Sequence, residues 1–487
     1  MELRLLMIFS LLFVCVLVPA VGVILCGAIL ALQIMLMSLR PMMAGRSKPA
    51  SDVGALQPIP VFSIHVATHS EPPAVVIRTL QSLLNQDWTT GAFEVIVMDN
   101  NTQDIALWGP VEAFCSQHPG RLTFLHRLGV VGAKAGALNI ALDHTRADAT
   151  HVVTVDADYI VQPDFLSIAA SALGRTGADY VQFPQSYRLT DQAAAGVDAE
   201  LEEYFRSNAI MADDAEAVLL TGTLCVISRR ALVAVGGWSG ATTTEDAELG
   251  VRLCHAGYSG RFINEVVGQG LLPLSLRDLE KQRYRWCSGN LRTLLRHLPI
   301  ITGHASSLNI QQRLVVITQL TAWFNLALVP AILLLAALLL DSATAGLVAF
   351  ASATIVLCLL DVVLRVAERG INEARSLSTI LAALACRIAL APQSAKATLD
   401  GVIGGKLQFI VTNKSGDAVS RYRTVPIGHV ALFVLSLCAL IAAEPHHILV
   451  IAALITLMLP LPAALFTARN LRSYRASISL DAGGATA

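Results

Sequence analysis

His151-Val-Val-Thr-Val-Asp156-Ala-Asp158 is a β-branched apolar run that stops on two carboxylates. It has the length and composition of a strand buried on both faces. Extended chain alternates its side chains, so Asp156 and Asp158 are expected on one side of the strand end. Upstream, Val61 to Thr68 reads as a second buried strand and Val75 to Leu84 shows helical spacing. Phe93 to Met98 is a third apolar run, ending in Asp99. Strand, helix and strand in that order predict an α/β, Rossmann-like sheet whose ligands gather beyond the carboxyl ends of its strands. The polar tips Thr68-His69-Ser70-Glu71 and Asp99-Asn100-Asn101-Thr102 are therefore candidate nucleotide contacts.

Two hard oxygen ligands at 156 and 158 suit Mg²⁺ or Mn²⁺, which takes few carboxylates and completes its shell with substrate phosphate oxygens. Alone, the tripeptide is as ordinary as any solvated strand end. Gly132-Ala-Lys134-Ala-Gly136 is either a tight turn or a place where backbone and one lysine approach a phosphate. Asp246, in Thr244-Glu245-Asp246, stands near the start of a helix through Leu249 and Leu253, where a carboxylate is ordinarily a cap worth about 1 kcal/mol. Gln282-Arg283-Tyr284-Arg285-Trp286 alternates cations with aromatics. Arginine pairs with diphosphate oxygens, and a tryptophan face can carry a sugar ring. The same residues also suit an anchor at a membrane interface.

Outward from this polar stretch the composition changes. Of 487 residues 54% are hydrophobic, and Leu5–Leu39, Leu314–Leu340, Ala343–Val366, Val425–Ala443 and Ile448–Ala468 are nearly charge-free. Each is long enough to cross a bilayer. The first is expected to be one long tilted helix, with a hairpin as the alternative. Arg40, Arg46 and Lys48 follow it, which puts the large polar domain in the cytosol. The stretch 376–391, interrupted by Arg387 and ended by Pro392, reads as an interfacial helix. Leu291, Leu294, Leu295 and Leu298 mark an amphipathic segment, packed on the catalytic domain or lying on the membrane surface. The expected organisation is an N-terminal span at 1–40, a catalytic domain at 58–290, an amphipathic segment at 291–310, a membrane hairpin at 311–366, a cytosolic segment at 367–424, a second hairpin at 425–468 and a cytosolic tail at 469–487. Lys plus Arg (35) balance Asp plus Glu (36), so no field recruits nucleic acid. The nine cysteines lack zinc spacing and read as reduced structural thiols.

Asp99, Lys134-Ala-Gly136, Asp156-Ala-Asp158, Thr244-Glu-Asp246 and Gln282 to Trp286 stand in the order found in processive family 2 glycosyltransferases. The chain resembles these cellulose, curdlan, chitin and hyaluronan synthases from residue 60 to 415. Phe409-Ile-Val-Thr412-Asn-Lys414 looks like the FxVTxK gating loop of cellulose and curdlan synthases, which closes over a bound nucleotide sugar. The resemblance implies a cytosolic GT-A (Rossmann-like) α/β catalytic domain joined to an α-helical transmembrane domain in a bacterial inner membrane. It implies polymerisation of a β-glucan from UDP-glucose by single inverting displacement, with export of the growing chain. The alternatives are UDP-N-acetylglucosamine as donor, or a non-processive transfer to a lipid carrier.

Carried over residue by residue, Asp246 is the general base and Asp156 and Asp158 hold Mg²⁺ or Mn²⁺. Lys134 and Arg285 neutralise the diphosphate, Asp99 contacts the uridine and Trp286 floors the acceptor site. Glu245 and Gln282 belong to the catalytic set; Thr68, His69, Glu71, Arg283, Tyr187, Phe409, Thr412 and Lys414 belong to the substrate set. His69 and Ser186-Tyr187 stand where the family often has aromatics. The expected partners are the sugar donor, the glucan, membrane lipids and accessory subunits in the periplasm or for regulation.

Overall fold

The structure, a computed structural model, describes residue 15 and residues 18–43, 59–188, 194–303, 306–403, 426–442 and 447–484. In chain order its elements are α1 (Pro19–Met43), β1 (Phe62–Thr68), α2 (Pro73–Leu84), β2 (Phe93–Asn100), α3 (Ile105–Ser116), β3 (Leu122–Arg127), α4 (Ala133–Asp143), β4 (His151–Thr154) and β5 (Ile160–Val161). They continue with α5 (Phe165–Thr176), β6 (Tyr180–Gln182), β7 (Ser186–Tyr187), α6 (Ala195–Tyr204), a π-turn (Phe205–Ala209), α7 (Ile210–Asp213), β8 (Cys225–Ser228), α8 (Arg229–Ala234), α9 (Glu245–His255), β9 (Gly260–Phe262) and β10 (Gly268–Gly270). The remaining elements are helical: α10 (Leu276–Thr302), α11 (Ile310–Leu320), α12 (Leu328–Leu339), α13 (Ala345–Asn372), α14 (Leu377–Ile403), α15 (Ile427–Ala442), α16 (Ile448–Met458) and α17 (Pro460–Gly484).

The apolar runs read from the sequence form the middle of one seven-stranded sheet, ordered β3-β2-β1-β4-β8-β6-β9. Strands β3, β2, β1 and β4 are mutually parallel, as their helical connections require. β8 lies antiparallel between β4 and β6. Val95, Ile96, Val97 and Met98 are all fully buried, so both sheet faces are covered. A small ribbon, β5-β10-β7, stands beside the sheet. Thr68 pairs with Asp99 in register, which brings the two polar tips together at the carboxyl end of the sheet.

Among the described residues four helical stretches are long and apolar enough to cross a membrane: Pro19–Leu39, Ala345–Asn372, Leu377–Ile403 and Ile448–Ala476. Several expected boundaries change. Val18 is a bend and α1 starts at Pro19, a residue suited to a first helical turn; residues 1–14, where the first span is expected to begin, lie outside the described residues. The expected span Leu314–Leu340 is broken between α11 and α12. The break exposes the Ala322 carbonyl, which accepts from Arg365 Nη1 at 3.1 Å and Arg387 Nη2 at 3.0 Å. α11 instead belongs to the packing of the sheet domain, with Gln319 bonded to Leu219 N–H and to Ala217 O.

Pro392 does not end the helix expected at 376–391, because α14 runs through it to Ile403, and the whole stretch is long and apolar enough to cross a membrane. Contacts with the sheet domain and α10 accompany α14 from Arg387, bonded to Glu200, to Asp400, bonded to the Tyr284 hydroxyl at 2.7 Å. The boundary drawn at 290 falls inside α10, a continuous 27-residue helix. Leu291 of that helix packs against Gly401 of α14. Residues 469–484 continue α17 rather than forming a separate tail, with Leu471 and Tyr474 buried.

Candidate active site

A cavity of about 360 Å³ opens at the carboxyl end of the sheet. Thr68, His69, Glu71, Lys134, Asp156, Asp158, Tyr187, Glu245, Asp246, Gln282, Arg285 and Trp286 all line it. Residues read from six separate stretches of sequence thus share one wall.

The two carboxylates arrive by a different route from the one expected. β4 ends at Thr154, and Asp156-Ala-Asp158 lies in a turn in which Tyr159 N–H donates to Asp156 O at 3.1 Å. It is this turn, not strand alternation, that sets their direction. Asp156 N–H is held by Thr223 Oγ1 at 3.0 Å, and Asp158 Oδ2 accepts from Leu271 N–H at 3.2 Å. Among the described residues no group of three or more His, Cys, Asp or Glu converges as a metal site. A pair of carboxylates facing a cavity of this size nevertheless fits Mg²⁺ or Mn²⁺, whose remaining ligands come from phosphate and water.

Lys134 sits in the first turn of α4. Gly132 caps that turn with φ +86°, and a Cβ on Gly136 would lie 2.0 Å from Val131 O, so the backbone bend needs both glycines. The ammonium donates to Asp156 Oδ1 at 2.5 Å and to Gly222 O at 2.8 Å. Burial works to lower its pKa, but Asp156, Glu245 and Asp246 outweigh that and hold it above the usual lysine range.

Asp246 lies in the first turn of α9, where its Oδ1 accepts from Ala247 N–H at 2.8 Å. That bond is the ordinary capping role. Burial and neighbouring Glu245 nevertheless push the carboxyl from 3.8 up to about 7, against the pull of Lys134, Ala247 N–H and Arg285. A carboxylate poised near neutral pH inside a cleft is suited to take a proton.

α10 has two faces. Gln282, Arg285 and Trp286 share the cavity face at helical spacing. Arg283 points away and is a correction to the substrate set: it is 2% exposed and bonds both oxygens of Glu200 at 2.7 and 2.8 Å. Arg387 reaches the same Glu200 at 2.7 Å, and both guanidiniums stack over Trp323. Asp99, expected at the uridine, does not itself line the cavity. It lies behind the wall, with Oδ2 accepting from Thr68 at 2.8 Å and Thr102 at 3.0 Å, and Oδ1 beside His126 Nδ1 at 3.0 Å. It orients Thr68, while its neighbour Asn100 lines the cavity. Phe409, Thr412 and Lys414 lie outside the described residues.

Gly222 was not singled out from sequence. Its φ is +85°, and a Cβ there would sit 2.7 Å from Asp246 Oδ2 and 3.2 Å from Lys134 Nζ. Gly289 likewise lets α10 approach Thr243 and Thr244, at 2.7 and 2.8 Å from its Cβ position. A second, smaller cavity of about 50 Å³ adjoins the first. Trp286, Asp246 and Tyr187 line both, and Trp323 and Tyr204 close its far side.

Residues 60–289 match a family described as glycosyltransferase like family 2. The chain is 27% identical over 272 residues to a cellulose synthase catalytic subunit (UDP-forming) of Xanthomonas axonopodis pv. citri, covering 54% of this chain and 36% of that one. It is 30% identical over 243 residues to a beta-monoglucosyldiacylglycerol synthase of Synechocystis, covering 49% of each. The chain therefore spans about a third to a half of the length of these relatives. The fold resembles that of a mannosyltransferase from Pyrobaculum calidifontis, solved with GDP-Man and Mn²⁺, at TM-score 0.52 and 17% identity, covering 79% of this chain and 98% of that one. The catalytic domain is thus a GT-A domain, joined to a helical membrane region.

Proposed function

We propose that this chain, a family 2 glycosyltransferase through its domain at residues 60–289, polymerises a β-glucan from UDP-glucose and passes it across a bacterial inner membrane, with the catalytic domain cytosolic. The observation that carries this reading is the meeting of the Asp156/Asp158 pair, Asp246 and the Gln282, Arg285 and Trp286 face around one cavity. Cellulose synthase subunits among the relatives, and apolar helices beside the site, support glucan synthesis in particular.

In this reading Asp246 takes the proton from the acceptor hydroxyl as that oxygen attacks the anomeric carbon from the face opposite the diphosphate. Burial and Glu245 raise its carboxyl to about 7, which suits it to accept a proton near neutral pH. Lys134 and Arg285 stand at the diphosphate, where charge accumulates as the glycosidic bond breaks. Asp156 and Asp158 would hold Mg²⁺ or Mn²⁺, which supplies further positive charge to the leaving group. Trp286 lies between the two cavities, so it would carry the terminal sugar of the acceptor while Asp246 reaches its hydroxyl.

A second reading, single transfer of glucose to a lipid, is supported by the monoglucosyldiacylglycerol synthase among the relatives. Purified protein in nanodiscs with radiolabelled UDP-glucose and Mg²⁺ or Mn²⁺ separates the two. The first reading expects a high-molecular-weight product cut by linkage-specific β-glucanases and absent with Asp246→Asn. A label confined to the lipid extract would overturn it in favour of the second.

A further inference from the structure

Asp158 is held from behind by two strand ends. Leu271 N–H donates to its carboxylate at 3.2 Å, and Arg188 Nη2 donates to its main-chain carbonyl at 3.0 Å. Arg188 follows β7 and Leu271 follows β10; these strands pair through Gln269 with Ser186 and Gly270 with Tyr187, and Arg188 N–H continues the ladder to Gly270 O at 3.0 Å. The ribbon is clasped at this point by a residue far outside the matched domain. The Tyr474 hydroxyl of α17 donates to Arg188 O at 3.0 Å, and the Leu272 backbone hydrogen-bonds the same phenol. Tyr474 is fully buried. It packs with Leu471, Tyr187, Leu272 and Leu274 in one apolar cluster. The stretch Ile448–Ala476 that carries it is long and apolar enough to cross a membrane.

We propose that Tyr474 is a positioning residue for the cation- and diphosphate-binding turn, so that seating of α17 sets the affinity of Asp156 and Asp158 for a divalent cation with a nucleoside diphosphate. This rests on reading Asp158 as a cation ligand. Tyr474→Phe removes one buried donor and leaves the ring's packing in place. The ends of β7 and β10 then lose their clasp, and the turn occupies its binding geometry for a smaller fraction of the time. Apparent affinity falls by that fraction, while the chemistry of the correctly bound state is unchanged.

The test uses the full chain in detergent with Mn²⁺ and UDP, reading free Mn²⁺ by electron paramagnetic resonance, for wild type, Tyr474→Phe and Asp158→Asn. Tyr474→Phe is expected to weaken Mn²⁺ about 3- to 10-fold, the worth of one buried hydrogen bond. KM for Mn²⁺ in sugar transfer rises in parallel, kcat at saturating Mn²⁺ stays within about twofold and the melting temperature falls by no more than about 5 °C. If Tyr474→Phe binds Mn²⁺ as wild type does while Asp158→Asn does not, the inference is wrong and the cation reading stands. A fall in kcat with unchanged Mn²⁺ affinity also overturns it. If Asp158→Asn or wild type shows that Asp158 contributes nothing to Mn²⁺ binding, the cation reading fails and takes this inference with it.

Discussion

Asp246→Asn should abolish sugar transfer and make the protein more stable, and the second effect has a calculable pH dependence. Burial and Glu245 move the Asp246 carboxyl from 3.8 up to about 7. A rise of about three units corresponds to about 4 kcal/mol of disfavoured ionisation, at 1.36 kcal/mol per unit. Because the carboxylate faces a cavity open to water, about 2 kcal/mol is the working figure. The folded-state pKa is raised, so wild-type stability falls as pH climbs from about 4 and levels off above about 7. Asparagine has no such dependence. It keeps the oxygen that accepts Ala247 N–H, and Lys134 keeps its bond to Asp156. At pH 8, with EDTA and no nucleotide, differential scanning fluorimetry in detergent should show the variant melting roughly 4–8 °C above wild type, at 2–4 °C per kcal/mol. The gap should shrink steadily toward pH 5. Parallel curves, or a wild type that is the more stable protein at pH 8, would refute the assignment of Asp246 as a carboxyl held near neutrality.

Other expectations follow from the same geometry. kcat/KM for transfer should rise with pH and reach a plateau above about 7, because only ionised Asp246 accepts a proton; a flat profile between pH 5.5 and 8.5 speaks against it. Gly222→Ala adds a Cβ 2.7 Å from Asp246 Oδ2 at φ +85°, and should lower kcat about 100-fold by displacing the base, with circular dichroism unchanged. Glu200→Gln leaves Arg283 and Arg387 buried without their shared anion, and should cost about 3–5 kcal/mol, read as a lower melting temperature. The double replacement of both arginines by methionine should recover part of that loss.

The strands of the central sheet were legible because β1, β2 and β4 are short, mostly apolar stretches rich in β-branched residues that end in polar residues. The cavity followed, since a parallel sheet collects its ligands at those ends. Asp156 and Asp158 were found for a partly mistaken reason: the turn after Thr154 aims them, and no strand periodicity describes a turn. Arg283 was misassigned because Gln282 to Trp286 was read as alternating cations. On a helix, Gln282, Arg285 and Trp286 share a face that Arg283 leaves, so a helical reading would have separated them. The part Asp99 plays in holding Thr68 was not legible, because strand tips were read singly and only the register pairs the two. The break at Ala322 carries one local sign, Asn325, whose side chain accepts from Ala327 N–H at 2.9 Å. Its other cause, Arg365 and Arg387 on distant helices, lies beyond any local pattern. Gly222 carries no motif at all, since its need arises from two side chains that meet it across the fold.

Product length under enzyme excess tests the central claim most directly. With UDP-glucose limiting and the protein held in nanodiscs, a processive synthase delivers long β-glucan chains while most enzyme molecules carry none, and Asp246→Asn delivers nothing. Labelled glucose spread as single units on lipid, or unchanged transfer by Asp246→Asn, would contradict the account.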